Sequence, residues 1–194
     1  MNYFVLKTKA RDGGVIGLYP PKSPAGWKFD KGQSLIHEFP KGASVQFSNN
    51  FPDARKLYDF QPNTLSALIV SERVRKVLEA QEITNAEYLP VDIEDHKGQV
   101  VGKNYAFLNL LGSEEAIDME KGEYRMSALD KEQIGMISRL AINEKGIRPG
   151  AKMFRCSKDL RLILINEEVL EALKSAGLTG FKAFEAEGWE GFDF

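Results

Sequence analysis

The chain predicts an α+β fold of mixed, mainly antiparallel sheets carrying two helices. Three observations predict it. The stretch "LIVSERVRKVLEAQEIT" (68–84) is echoed 95 positions later by "ILINEEVLEALKSAGLT" (163–179). Short runs rich in β-branched and aromatic residues alternate with Gly, Pro, Asn and Asp turn clusters along the rest of the chain. Strand and helix patterns do not alternate regularly, which argues against a doubly wound parallel sheet.

Taken in order, residues 2–8 and 14–18 read as a β-hairpin around "RDGG". "YPPKSPAGWKFDKG" (19–32) is a Pro, Gly and Lys loop holding Trp27, and "ASVQFS" (43–48) is a short strand. "NNFPDARKLYDFQPNT" (49–64) is broken by prolines and reads as irregular, which makes 50–66 the one internal boundary. The first echo copy then opens on Leu68-Ile69-Val70, the apolar run of a buried strand. Ser71 is placed to accept from the free N–H groups of a starting helix, and Glu72 favours the positive end of its dipole. Val74, Val77 and Leu78 share a face.

The second copy repeats this design with Ile163-Leu164-Ile165, Asn166, Glu167 and Glu168, then Val169, Ala172, Leu173 and Ala176. It ends at Gly177, a good left-handed C-cap, where the first copy has Glu82 and should stop less cleanly. Extended segments follow both, "AEYLPVDIE" (86–94) and "FKAFEAE" (181–187). Four of the 17 aligned pairs are identical (Glu72/Glu167, Val74/Val169, Leu78/Leu173, Thr84/Thr179), and most of the rest swap within a class. Nearly every match is apolar or a cap, so the echo reads as a duplicated strand–helix–strand folding unit rather than two arms of a site. Between the copies, "VDIEDHKGQVVGKNYAFLNLLG" reads as two strands around His96-Lys97-Gly98, and "IGMISRLAIN" and "MFRCS" as further strands. The 194 residues make one domain, or two lobes: a β-rich part over 1–60 and the duplicated α+β part over 61–194.

Composition narrows the function classes. The net charge of −2 gives no general attraction to nucleic acid or to a membrane surface. Charge is nevertheless blocked along the chain: +4 over 1–66, −6 over 67–123, +5 over 124–166 and −5 over 167–194. Both acidic blocks hold a copy of the echo, so they either interleave as solvated faces or gather as an acidic patch. No apolar run approaches the roughly 20 residues of a membrane span. The start "MNYFVLKTKARDGG" reads as a first strand and not as an export signal, and the lone Cys156 suits a reducing compartment. A cytoplasmic protein is expected.

The search for chemistry is thin. His37 and His96 lie in no metal-binding spacing with Cys156 or with each other. Cys156 falls mid-strand between Arg155 and Ser157, the setting of a small buried hydrophobe. The glycines of "RDGGVIG" precede no helix and suit a turn better than a phosphate cradle. Acid groups such as Glu114/Glu115 and Asp92/Glu94/Asp95 read as surface solvation. Nothing implies a catalytic residue, a cofactor or a metal, and the chain reads as a protein that binds something.

Several segments in order carry a family resemblance: "WKFDKG", with Trp27, Phe29 and Gly32; "DFQPNTLSALIVSERVRKVLEA"; "YAFLNLLGSEEAIDMEKGEY", with Asn109 and Asp118; and "GAKMFRCSKDLRLILINEEVLEALKSAGLTGFKAFE". Together, over about residues 25–186, they resemble the immunity proteins of bacterial polymorphic-toxin systems, in the group numbered eleven, formerly a domain of unknown function. The chain departs from that pattern at Lys121-Gly122, where a serine often follows the aspartate, and at Asn166, where the second unit often has serine.

The resemblance implies neutralisation of a cognate toxin by direct binding, without catalysis, with specificity in loops and exposed faces. A toxin acting in the cytoplasm is then expected, on nucleic acid, a nucleotide cofactor or the translation machinery. The competing readings are an adaptor or chaperone for a secreted effector, and an enzyme with an unrecognised site. In the tail "EAEGWEGFDF", Glu185, Glu187, Trp189, Glu190, Phe192 and Asp193 combine acids with aromatics and are the candidate partner-binding residues. The alternative is that Trp189, Phe192 and Phe194 fold back onto the core.

Overall fold

Both echo copies fold as strand, helix, strand, and each wraps a third strand between its own two. The computed structural model describes residues 2–191. The first copy comprises β3 (Leu68–Ser71), α1 (Glu72–Ala80) and β4 (Ala86–Glu94). The second comprises β9 (Asp159–Asn166), α2 (Glu167–Ser175) and β10 (Phe181–Glu185). β5 (Val100–Leu110) lies antiparallel between β3 and β4, and β1 (Tyr3–Thr8) lies antiparallel between β9 and β10. β2 (Ala43–Gln46) adds to β4 in parallel, and β8 (Met153–Cys156) adds to β9. The two sheets therefore run β2-β4-β5-β3 and β10-β1-β9-β8, with β6 (Glu123–Met126) and β7 (Ile134–Arg139) forming a separate ribbon. The α+β class, mixed and mainly antiparallel, is as the sequence predicts.

The apolar runs are continuous because each sheet is covered on both faces. Leu68 and Val70, Leu108 and Leu110, Leu6, and Ile163 and Ile165 turn to one shared core, where Val74 and Leu78 of α1 meet Val169, Leu170 and Leu173 of α2. The residues between them turn the other way. Val5, Leu162 and Leu164 pack with Ile134, Ile137, Leu140 and Phe154. Ile69 and Phe107 pack with an aromatic cluster from the N-terminal loops, Phe29, Phe39 and Phe47. Phe29 belongs to a 3-10 turn, Gly26–Asp30, inside the expected loop.

Two local readings are corrected. Residues 2–8 and 14–18 do not form a hairpin: β1 pairs with β9 and β10, while Ile16 bridges Phe47 and Asn63. Gly13 and Gly14 serve close packing instead, since a side chain on either would collide with Pro62 or with the ring of Phe47. The stretch 50–66 is irregular as expected, but it runs through the core, with Phe60 and Gln61 both fully buried.

The helix ends show how far the echo extends. Asn166 Oδ1 accepts from Val169 N at 3.0 Å, a side-chain N-cap. Ser71 makes no such bond; its hydroxyl is turned to Asp59 and donates there. At the exits, Glu82 and Gly177 take the same left-handed conformation, φ 58° and 61°. The next amides close matching bonds, Ile83 N to Leu78 O at 3.1 Å and Leu178 N to Leu173 O at 3.2 Å. The first helix thus ends in the same motif as the second, with a strained non-glycine residue in place.

Glu82→Gly should stabilise the protein by roughly 0.5–1 kcal/mol, the left-handed strain removed less the entropy cost of glycine; no gain in denaturant midpoint would contradict this. Leu78→Ala and Leu173→Ala should each cost about 2–5 kcal/mol, because both side chains are wholly buried where the helices meet. Urea titrations measure these losses directly, and near-neutral values would mean the shared core is loosely packed.

Candidate functional site

The polar residues of the sequence motifs meet in two buried nodes. At the first, Asp59 is only 6% exposed. Its Oδ1 accepts from Ser71 Oγ at 2.7 Å. Its Oδ2 accepts from Arg73 Nη1 at 3.0 Å, Thr179 N at 3.0 Å and Thr179 Oγ1 at 2.9 Å. Arg73 also donates to Ala176 O at 2.8 Å, and Phe60 N to Thr179 O at 2.9 Å. One carboxylate therefore fastens the start of α1 to the exit of α2.

At the second node, Arg155 is 5% exposed. Its Nε donates to Leu110 O at 3.0 Å, Nη1 to Leu160 O at 2.7 Å and Nη2 to Phe29 O at 2.9 Å. Burial lowers the guanidinium's pKa, with nearby Asp30 opposing; the same burial raises that of Asp30, opposed chiefly by Arg155. Asn109 extends the node, donating to Gln33 O at 2.8 Å and to Glu87 Oε2 at 3.0 Å. Burial disfavours the Glu87 anion, but bonds from Leu35 N, Ser34 Oγ and Asn109 outweigh it and hold the carboxyl below the usual range. Glu114, 3% exposed, accepts from Arg148 N, Nε and Nη2.

These groups are bonded to one another: Glu114 and Arg148 line a cavity of about 250 Å³, but both carboxylate oxygens of Glu114 are taken up by Arg148. Cys156 is fully buried, and burial pushes its thiol far above the usual range, so it packs as an apolar side chain. His37 is exposed, and a His96 ring nitrogen lies 3.2 Å from Phe51 O. Among the described residues no three His, Cys, Asp or Glu side chains converge to hold a metal ion.

The tail residues separate. Glu185 and Glu190 are exposed. Glu187 is exposed too, but its carboxylate accepts from Ile142 N at 2.8 Å. Trp189 is 9% exposed and packs in the cluster with Ile137, Leu140 and Ala186, with Lys7 Nζ 5.1 Å from the centre of its ring. Leu140 N donates to Trp189 O and Gly188 N to Leu140 O, both at 2.8 Å. Phe192 and Asp193 lie outside the described residues. Exposed large apolar side chains sit elsewhere: Trp27 is 63% exposed, Leu18 80% and Leu129, at the tip of the β6–β7 ribbon, fully.

A family model described as an immunity protein family, Imm11, matches residues 4–187. The chain belongs to this immunity protein family. A comparison with curated proteins found no match. Membership supports an immunity-protein role and implies a toxin as partner in general terms. In this Imm11 chain the polar groups of the resembling segments are the ones that hold the fold: Asp59, Ser71 and Thr179 at one node, Asn109 and Arg155 at the other. Sequence reasoning did not assign these roles. Asn109 and Arg155 each interrupt an apolar strand run, and that is the local signal the sequence carries for them.

Asp59→Ala should cost about 1–3 kcal/mol, since it removes the one buried acceptor shared by Ser71, Arg73 and Thr179, while Arg73 and Thr179 can still reach solvent. Arg73→Ala, at the exposed end of the same node, should cost about 1 kcal/mol or less. Equal losses in thermal or urea unfolding would show that the node is not centred on the carboxylate.

Proposed function

We propose that this chain neutralises a cognate toxin in the cytoplasm by binding it directly, without catalysis. The observation that carries the reading is the family match over 4–187. It is supported by the spending of the motif carboxylates and guanidinium groups inside the fold, which leaves only surface groups to meet a partner. The single buried cysteine suits a reducing compartment. No helix among the described residues is long and apolar enough to cross a membrane. We take residues 1–194 to act as one unit, because β1 is an inner strand of the sheet that the second copy builds.

The acidic tail is the proposed approach surface for a basic toxin face. Glu185, Glu187 and Glu190 supply the charge, Trp189 anchors the segment from beneath, and Phe192 and Asp193 continue it in sequence. Charges of this kind steer encounter more than they hold a complex together.

Co-expression with the toxin domain encoded beside this gene tests the reading: growth should be restored, and the two proteins should co-purify. Glu185→Lys with Glu190→Lys should leave the melting temperature unchanged and slow association by about tenfold at low salt, less at high salt. Failure of the wild-type chain to bind the toxin domain would sink the proposal; an unaltered association rate would remove only the tail from it.

A further inference from the structure

The geometry points to the outer edge of β10 as the place where an extended segment of the toxin adds as a further strand; this rests on the binding role proposed above. β10 is the outermost strand of its sheet. The bonds Lys9 N to Gly180 O and Ala186 N to Tyr3 O, both 2.9 Å, fix the phase of its ladder with β1. Even-numbered residues turn their backbone groups to β1, so Phe181, Ala183 and Glu185 turn theirs outward. No described residue hydrogen-bonds to that side of the strand. Beside it runs a cavity of about 570 Å³ between β10 and α2, with an apolar wall of Phe4, Leu170, Leu178, Phe181 and Ala183. An open ladder next to a helix-walled apolar groove is the arrangement by which sheets recruit extended peptides.

The echo supplies an internal comparison. The 95-residue offset lays Phe181–Glu185 on Ala86–Pro90. There the outward side of the edge is guarded. Pro90, on the position of Glu185, has no N–H to offer, and the Glu87 carboxylate holds the loop at Ser34 and Leu35 against the strand. Just beyond, β2 pairs with Val91–Glu94. β10 has no proline and, among the described residues, no strand on that side.

Charge describes the occupant further. Lys174 and Lys182 lie at one part of the groove and Glu185 at the other end of β10, followed by the exposed Glu187 and Glu190. A matching strand carries apolar residues at alternate positions toward α2, an acid near Lys182 and basic residues near Glu185.

Ala183→Pro tests this in the full chain, because it removes an outward N–H and leaves the β1 ladder intact. Its melting temperature should match the wild type, and its affinity for the toxin domain encoded beside the gene should fall at least about tenfold. Amide exchange on the wild-type chain gives a second readout, independent of whether the variant folds. Phe181, Ala183 and Glu185 should exchange fast alone and slow at least about tenfold with saturating toxin domain, while Ala186, already bonded to Tyr3, changes little. A toxin complex in which those three amides stay fast overturns strand addition but leaves the binding role standing. So does a stable Ala183→Pro variant with undiminished affinity. Protection of the same amides in the chain alone, with the mass of a dimer, assigns the edge to a second copy and overturns the proposal. No complex with the wild-type chain removes both.

Discussion

The Asp59 carboxylate is where the two halves of the duplicated design become one object. Its two oxygens collect donors from Ser71 and Arg73 at the start of α1 and from Thr179 beyond the end of α2. The helices could pack by their apolar faces alone, but apolar contact is not directional and would tolerate sliding. Four charge-assisted bonds on one buried group are directional, and they fix where along each other the copies sit. The Ser71 hydroxyl is diverted from capping its own helix to do this, so a small local cost is accepted for a long-range constraint. Arg155 does the corresponding work between the sheets and the aromatic N-terminal cluster, donating to backbone carbonyls of Leu110, Leu160 and Phe29.

What the sequence made legible was local. The two helices, their acidic first turns, the strand before and after each, and the β4–β5 hairpin all follow from patterns within about twenty residues. What it hid was remote. Its own pattern pairs β1 with its neighbour in sequence, whereas its partners lie at Leu164–Asn166 and Phe181–Glu185. Nothing in "YFVLKT" names a partner so far along the chain. The glycines after it looked like a turn for the same reason: close packing against Pro62 and Phe47 leaves no local pattern. The tail was half legible. Glu185, Glu187 and Glu190 are on the surface, but the burial of Trp189 depends on Leu140 and Lys7, which no window around the tail contains.

The division of labour between the inside and the outside bears on how such a protein acquires specificity. The buried polar residues are committed to the nodes, so changing them alters the fold before it alters recognition. The exposed positions carry few internal bonds. Trp27, Leu18 and Leu129 stand in solvent, and Glu185 and Glu190 can change at small cost to stability. A scaffold of this kind can hold its architecture constant while its surface follows a changing partner.

The placement of β1 has a consequence for timing in the cell. Its strand lies between β9 and β10, so the first sheet cannot close until nearly the whole chain has left the ribosome. At roughly 5–20 residues per second, translation of the intervening sequence takes on the order of ten seconds or more. During that interval Val5 and Leu6 have no sheet to enter, and closure waits on contacts of very long sequence separation, a slow class of folding event. Newly made copies thus pass through a delay before their last strand is seated. Working copies are therefore those finished beforehand, and a chain cut short before β10 has no means of completing the sheet.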